Sequence, residues 1–333
     1  MALPRKRSRA GLAVLAGLSM LAAGCAEQSS GGGEAAAEEY PTKDISYVVP
    51  FDPGGESDIT ARLQKEPLEE ALGVSVAVSN RPGGGGAVGW SEMATSMKPD
   101  GYSWMGANLP HVVLQPLARD DAGYQTEDIN WAYIFESTPN ALVVAKDSKY
   151  QSLEDFVKAA KQNKLTVGGS SDFSANHIGT LALSKFAGID LTYVPFSGTA
   201  AATPALLGGQ VDALMTYNTE ALDLIDQGAR VLGVASEERL PNLQDVPTFK
   251  EQGFDVVQGA YRGVAVPPDT PDEVRQKVAD AFAEVNKDPE VIEKMESLGF
   301  IIEDMGPEES TEFTEQQVAE AEELLATYGL LKD

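Results

Sequence analysis

Cysteine is nearly absent: Cys25 is the only one in 333 residues. A single thiol excludes a disulfide framework and a Cys-x-x-Cys redox pair. Histidine is almost as scarce. His111 and His177 are the only two, and neither has a cysteine or carboxylate at metal-ligand spacing, so no metal centre and no cofactor is expected. Bases are few, 25 Lys and Arg against 51 Asp and Glu, for a net charge of −26. Such acidity argues against nucleic acid and against electrostatic docking on anionic lipid. It does not exclude a small anionic ligand, because charges beyond a Debye length of about 8 Å are largely screened. No Gly-x-Ser-x-Gly elbow and no Walker loop occurs.

What is present begins with an address. Arg5, Lys6, Arg7 and Arg9 precede an apolar run from Ala10 to Ala23, too short to span a bilayer comfortably and of signal-peptide proportions. The run ends in Leu21-Ala22-Ala23-Gly24-Cys25, which resembles a bacterial lipobox. Residues 1–25 are therefore expected to be a lipoprotein signal peptide, with Cys25 lipidated and the protein held outside the cytoplasm on the cell membrane. A non-lipidated signal peptide is the alternative. Residues 26–39 are Ser, Gly, Ala and Glu without apolar period and are expected to form a flexible tether.

The folded body is organised around Tyr47 to Arg62. Ile45 to Val49 predicts a short buried strand, ended by Pro50. Pro53-Gly54-Gly55 makes a turn, and Ser57 is expected to cap a helix that carries Ile59 and Leu63 on one face. A strand, a glycine turn and a helix N-terminus form an anion site, since the first amides of a helix lack internal partners and the dipole is positive there. Gly54 and Gly55 let a ligand approach the main chain.

The device repeats. Leu165 to Gly169 is followed by Ser170, Ser171 and Ser174 and a helix through Ile178 and Phe186. A strand ending at Tyr193-Val194-Pro195 runs through Ser197-Gly198-Thr199 into another helix. Gly84-x-Gly86-x-x-Gly89 matches a dinucleotide fingerprint, but Pro82 precedes it and no acidic residue follows at the ribose position. Tight helix-to-strand packing is the better account. Strand alternating with helix implies α/β architecture with mostly parallel sheets, and ligands of such sheets bind at the carboxyl ends of strands. Two lobes are expected, 40–140 with 259–333 and 141–258, facing each other across a cleft. His177, near the second turn, is expected to be structural, with a role as a base the alternative. Asp52, Glu56, Asp58 and Asp172 are expected to be caps and dipole partners, with carboxylate-pair chemistry the alternative.

Several pieces in order resemble the substrate-binding receptors of tripartite tricarboxylate transporters, the Bug-type proteins. They are Tyr40-Pro41-Thr42-Lys43, Val49 to Gly55, Asn80-Arg81-Pro82-Gly83, Lys98 to Tyr102, Leu206 to Asp212 and Asp245 to Gly253. Arg262-Gly263 after an aromatic looks like the tricarboxylate branch. The resemblance covers Tyr40 to Leu325. It implies a type II periplasmic-binding-protein fold, two α/β lobes joined by two crossovers, and a non-enzymatic receptor. The ligand implied is a small di- or tricarboxylate such as citrate, and the partners are membrane permease subunits, with the receptor itself a monomer. Residue by residue it implicates Gly54, Gly55, Ser57 and Asn108 from one lobe and Ser170, Ser171, Ser174 and Thr199 from the other. Asp52 and Glu56 stand where the family often carries uncharged residues. An amino acid or other zwitterion, recruiting Asp172, and an exported hydrolase using His177 are the alternatives.

Overall fold

A computed structural model describes residues 39–332. The expected signal peptide, Cys25 and nearly all of the expected tether lie outside those residues.

The first strand, β1 (Ile45–Val49), buries Ile45, Tyr47 and Val49 on one face. The chain turns into α1 (Glu56–Leu72), crosses to β2 (Val76–Asn80), and passes through a 3-10 turn at Gly84–Gly86 into α2 (Ala87–Thr95). Next come β3 (Ser103–Leu109), α3 (His111–Ala118) and the long β4 (Asn130–Val144). The middle of the chain alternates α4 (Leu153–Ala160), β5 (Leu165–Gly169), α5 (Ala175–Ala187), β6 (Leu191–Pro195) and α6 (Thr199–Leu207). It continues through β7 (Ala213–Tyr217), α7 (Asn218–Asp226) and β8 (Arg230–Val234). The return runs β9 (Gly259–Val266), α8 (Asp272–Val285), α9 (Pro289–Ser297), β10 (Ile301–Met305) and α10 (Pro307–Thr327).

Strand order is β2-β1-β3-β9-β4-β7-β5-β6, with β8 and β10 also paired to β4. The parallel strand ladders of the described residues join β1 to β2 and β3, and β5 to β6 and β7. Every pairing of β4 and β9 is antiparallel. These are the strands that carry the chain between the lobes, so they run against the βα units on either side. β4 belongs to both lobes. Residues from Asn130 to Pro139 pair with β9, whereas Asn140 to Val144 pair with β7 and β8. The sequence shows only the second half of β4 as a strand. The first half contains Glu136, Ser137, Thr138 and Pro139, which break the apolar run although all lie in a buried stretch.

Each lobe has its own core. In the first, Phe282 of α8 is the hub of an aromatic group, stacked on Phe135 at 5.7 Å and 10° and edge-on to Tyr47 at 6.1 Å. Trp104 lies 5.5 Å away, and its indole N–H donates to Gly101 O at 2.8 Å, which meets the need of a buried ring nitrogen. The second core gathers Phe156, Val167, Leu183, Met215 and Phe249 around β5 and β7. The glycine run packs helix against strand as the sequence indicates: a Cβ on Gly89 of α2 would lie 2.8 Å from the Pro50 side chain.

The rings of Phe135, Tyr47, Trp104 and Tyr133 converge on Phe282, so its truncation is expected to cost about 3–5 kcal/mol. Phe282→Leu should cost markedly less, as measured by urea unfolding of both variants.

Candidate functional site

The cleft between the lobes has a volume of about 490 Å³. Helix N-termini from both sides open into it. On the first lobe, α1 starts at the N-cap Gly55; on the second, α6 starts at Gly198 and α7 at Tyr217. All three N-caps line the cleft. Their dipoles present partial positive charge to the space between them.

Ser57 is not the cap of α1; Gly55 takes that position with extended backbone, because the turn through Gly54 (φ +80°) brings the chain into the helix two residues earlier. The Ser57 hydroxyl instead accepts from Asn108 Nδ2 at 3.1 Å, joining α1 to the end of β3. Gly54 and Gly55 line the cleft, yet their amides are engaged. Gly54 N–H donates to Asp58 Oδ2 at 2.8 Å and Gly55 N–H to the Asp52 carbonyl at 3.3 Å. Among the described residues the amides of Glu56 and Ser57 have no protein acceptor, and both residues line this end of the cleft. Asp58 braces the turn, also accepting from Arg62 Nε and Asn80 Nδ2, each at 2.9 Å. Burial works against its charge, but these bonds together hold its carboxyl below the usual range.

On the second lobe Ser170, Ser171 and Thr199 line the cleft. The Ser170 hydroxyl donates to Asn176 Oδ1 at 2.6 Å, and Asn176 Nδ2 in turn donates to Asn140 Oδ1 at 2.9 Å. Ser174 does not line the cleft. It is fully buried as the N-cap of α5, its hydroxyl accepting from His177 N–H at 3.3 Å, so its oxygen is consumed by the helix. His177 also stands apart from the cleft lining: it stacks on Tyr193 at 4.4 Å, and its Nδ1 accepts from Phe173 N–H at 3.2 Å. Burial lowers its pKa, opposed by Asp172, whose Oδ1 is 3.8 Å away.

The floor of the cleft is a charged network that sequence reasoning did not assemble. Arg262 of β9 is only 3% exposed. Its Nη1 donates to Glu136 Oε1 at 3.2 Å and Thr138 Oγ1 at 2.7 Å, and its Nη2 to Glu56 Oε2. The guanidinium lies over the Tyr217 ring, 4.9 Å from its centroid. Glu56 also accepts from the Thr219 hydroxyl of α7, so one first-lobe side chain reaches the opposite wall. Burial alone would push Arg262 toward neutrality; the two carboxylates reverse that and hold it charged. Burial pushes the Glu136 carboxyl up to about 8 against the pull of Arg262. His111, buried on the cleft wall, is pushed down to about 3 by burial and then by Arg262, which makes it a neutral ring. The signal available in the sequence was a lone base, Arg262, inside the apolar strand Tyr261 to Val266 and a lone acid, Glu136, after the apolar run Trp131 to Phe135.

Among the described residues no cluster of three or more His, Cys, Asp or Glu side chains is placed to hold a metal ion. No described helix is long and apolar enough to cross a membrane.

Two α/β lobes with helix N-termini converging on the cleft between them define a periplasmic-binding-protein fold of the solute-receptor type. The chain belongs to the tripartite tricarboxylate transporter family of receptors, whose family model matches residues 60–330. It is 30% identical over 304 residues to the UPF0065 protein in the tcbD-tcbE intergenic region of Pseudomonas sp. (strain P51), with 88% of each chain covered. It also resembles the solved structure of MatC from Rhodopseudomonas palustris with bound malate, at 26% identity and a TM-score of 0.78, covering 86% of this chain and 100% of that one. A further R. palustris structure, with adipate, matches at 27% identity and a TM-score of 0.82, covering 87% and 99%.

The Glu136 carboxyl binds its proton more tightly in the folded than in the unfolded chain. Its contribution to stability is therefore full below the ordinary value of 4.5 and is lost as pH rises through about 8. Glu136→Gln, which mimics the protonated side chain, should gain on the wild type by on the order of 1–3 kcal/mol between about pH 5 and about pH 8.5. Calorimetric melting of both proteins across that range reads the difference.

Proposed function

We propose that this protein is an extracytoplasmic receptor that closes over a small carboxylate and delivers it to the membrane permease subunits of a tripartite tricarboxylate transporter. The observation that carries the reading is the convergence of the α1, α6 and α7 N-termini on one cleft beside a buried arginine. Amides of Glu56 and Ser57 on one wall and of Thr199, Ala200 and Ala201 on the other lie in the first turns of these helices without protein acceptors among the described residues and are available to a carboxylate. Thr199, Asn108 and Ser171 supply side-chain donors beside them. Closure expels water and strengthens such bonds, since the same dipoles act in a lower dielectric. Malate and adipate in the similar structures support a carboxylate as the ligand class, with a di- or tricarboxylate such as citrate among the first probes. The lobes are assigned as 40–140 with 259–333 and 141–258, a division supported by the pairing of β4 and β9.

The lipobox-like end of the leader supports a lipid on Cys25 as the anchor. Cys25→Ser should release the protein from the membrane fraction of cells that express the full chain. The zwitterion reading through Asp172 loses its support, because Asp172 does not line the cleft.

Isothermal calorimetry against lactate, malate, adipate, citrate and benzoate tests the receptor reading. Saturable binding of at least one acid is expected, and silence from all of them at about millimolar concentration would sink it. Ala201→Asp adds an acid to the first turn of α6 on the cleft wall. It should leave the helix as stable or better by about 0.3–1 kcal/mol, yet weaken carboxylate binding by about tenfold or more through like-charge repulsion.

A further inference from the structure

Charge inside the cleft is unevenly distributed. Among the described residues Arg262 is the only Lys or Arg side chain lining it, while Asp52, Glu56, Glu220 and Asp223 all do. Arg262 already gives one nitrogen to Glu136 and Thr138 behind it and the other to Glu56 in front. Glu56 therefore sits in the cleft as a bound carboxylate would: one oxygen on a guanidinium nitrogen, the other on the Thr219 hydroxyl from the opposite lobe. It is the first residue of α1. Glu220, in the first turn of α7, lies on the far wall with Thr203 donating to it at 2.8 Å.

We propose that Glu56 fills, from within the chain, the place a second ligand carboxylate would take, so that this cleft selects acids with a single carboxylate over di- and tricarboxylates. The proposal rests on the receptor reading and narrows it. One carboxylate of the ligand is held by the free amides at the helix N-termini. A second would meet no unpaired cation and would stand beside Glu56 and Glu220, a like-charge juxtaposition in a space that closure dries. The remainder of the ligand is consequently neutral or cationic. Glu56 here is a specificity-determining residue, and Arg262 with Thr219 is the site it occupies.

Two matched pairs of acids test this by calorimetry: adipate with hexanoate, and malate with 2-hydroxybutyrate, in which a methyl group replaces one carboxylate. In the wild type the monoacid of each pair that binds should do so about tenfold or more tighter than its diacid. Glu56→Gln keeps the shape and removes the charge; Glu56→Ser vacates the site and leaves Arg262 open on that side. Both should shift the ratio of diacid to monoacid affinity toward the diacid by about tenfold or more, which a general loss of folding would not do. Wild-type protein that binds the diacids as tightly as the monoacids overturns the proposal, as does an unchanged ratio in both variants. Silence from all four acids on all three proteins also overturns it. The broader panel above then decides separately whether the receptor reading falls with it.

Discussion

The structure depends on a buried positive charge. Arg262 is 3% exposed at the junction of the lobes, and moving a guanidinium out of water costs several kcal/mol unless acceptors replace the lost hydration. The acceptors come from strand register. Glu136 and Arg262 are direct partners across the β4–β9 ladder, so forming the sheet brings the pair together. Thr138 lies two residues further along the same strand and adds a hydroxyl on the same side. Only Glu56 and the Tyr217 ring must be supplied from elsewhere, one by each lobe. The charge therefore acts as a constraint on the placement of α1 and β7, and through them on the shape of the cleft.

That constraint reconciles an acidic chain with an anion-binding cleft. The net charge of −26 lies largely on solvated helices, where salt screens it within about 8 Å. What a ligand meets in the cleft is local: three helix N-termini, a few amides without protein partners, and one arginine. Acids in the first turns of α1 and α7 oppose part of that field. They also stabilise the helices they start, so the same residues serve helix stability and ligand discrimination.

Much of this was legible in the chain. The strand–turn–helix units at Ile45, Leu165 and Leu191 are announced by apolar runs followed by glycine and hydroxyl residues. The first half of β4 was not legible. Its polar residues are buried because partners wait for them across the sheet, and no local pattern encodes a partner more than a hundred residues away. The same limit applies inside the site. Gly54 and Ser57 are at the cleft, but that Asp58 takes the Gly54 amide and Asn108 takes the Ser57 hydroxyl follows from tertiary placement. Ser174 shows the converse: a hydroxyl beside a helix start is a cap first, and its orientation toward the helix removes it from the cleft.

The two lobes contribute unequally to the floor of the site. Arg262, Glu136, Thr138 and Glu56 all belong to strands and a helix of the first lobe or to the shared β4, so the ion pairs can form without the second lobe in place. From the second lobe Thr219 donates to Glu56 and the Tyr217 ring lies against the guanidinium. Opening the cleft would strip Glu56 of one hydrogen bond and Arg262 of one aromatic face while leaving the pair itself intact. A ligand that favours the closed state needs only enough differential affinity to offset the ordering of the lobes, because the most expensive charge is already compensated before it arrives. Neutralising that charge within one lobe thus leaves closure free to be decided by the contacts the ligand makes with the helix ends facing it.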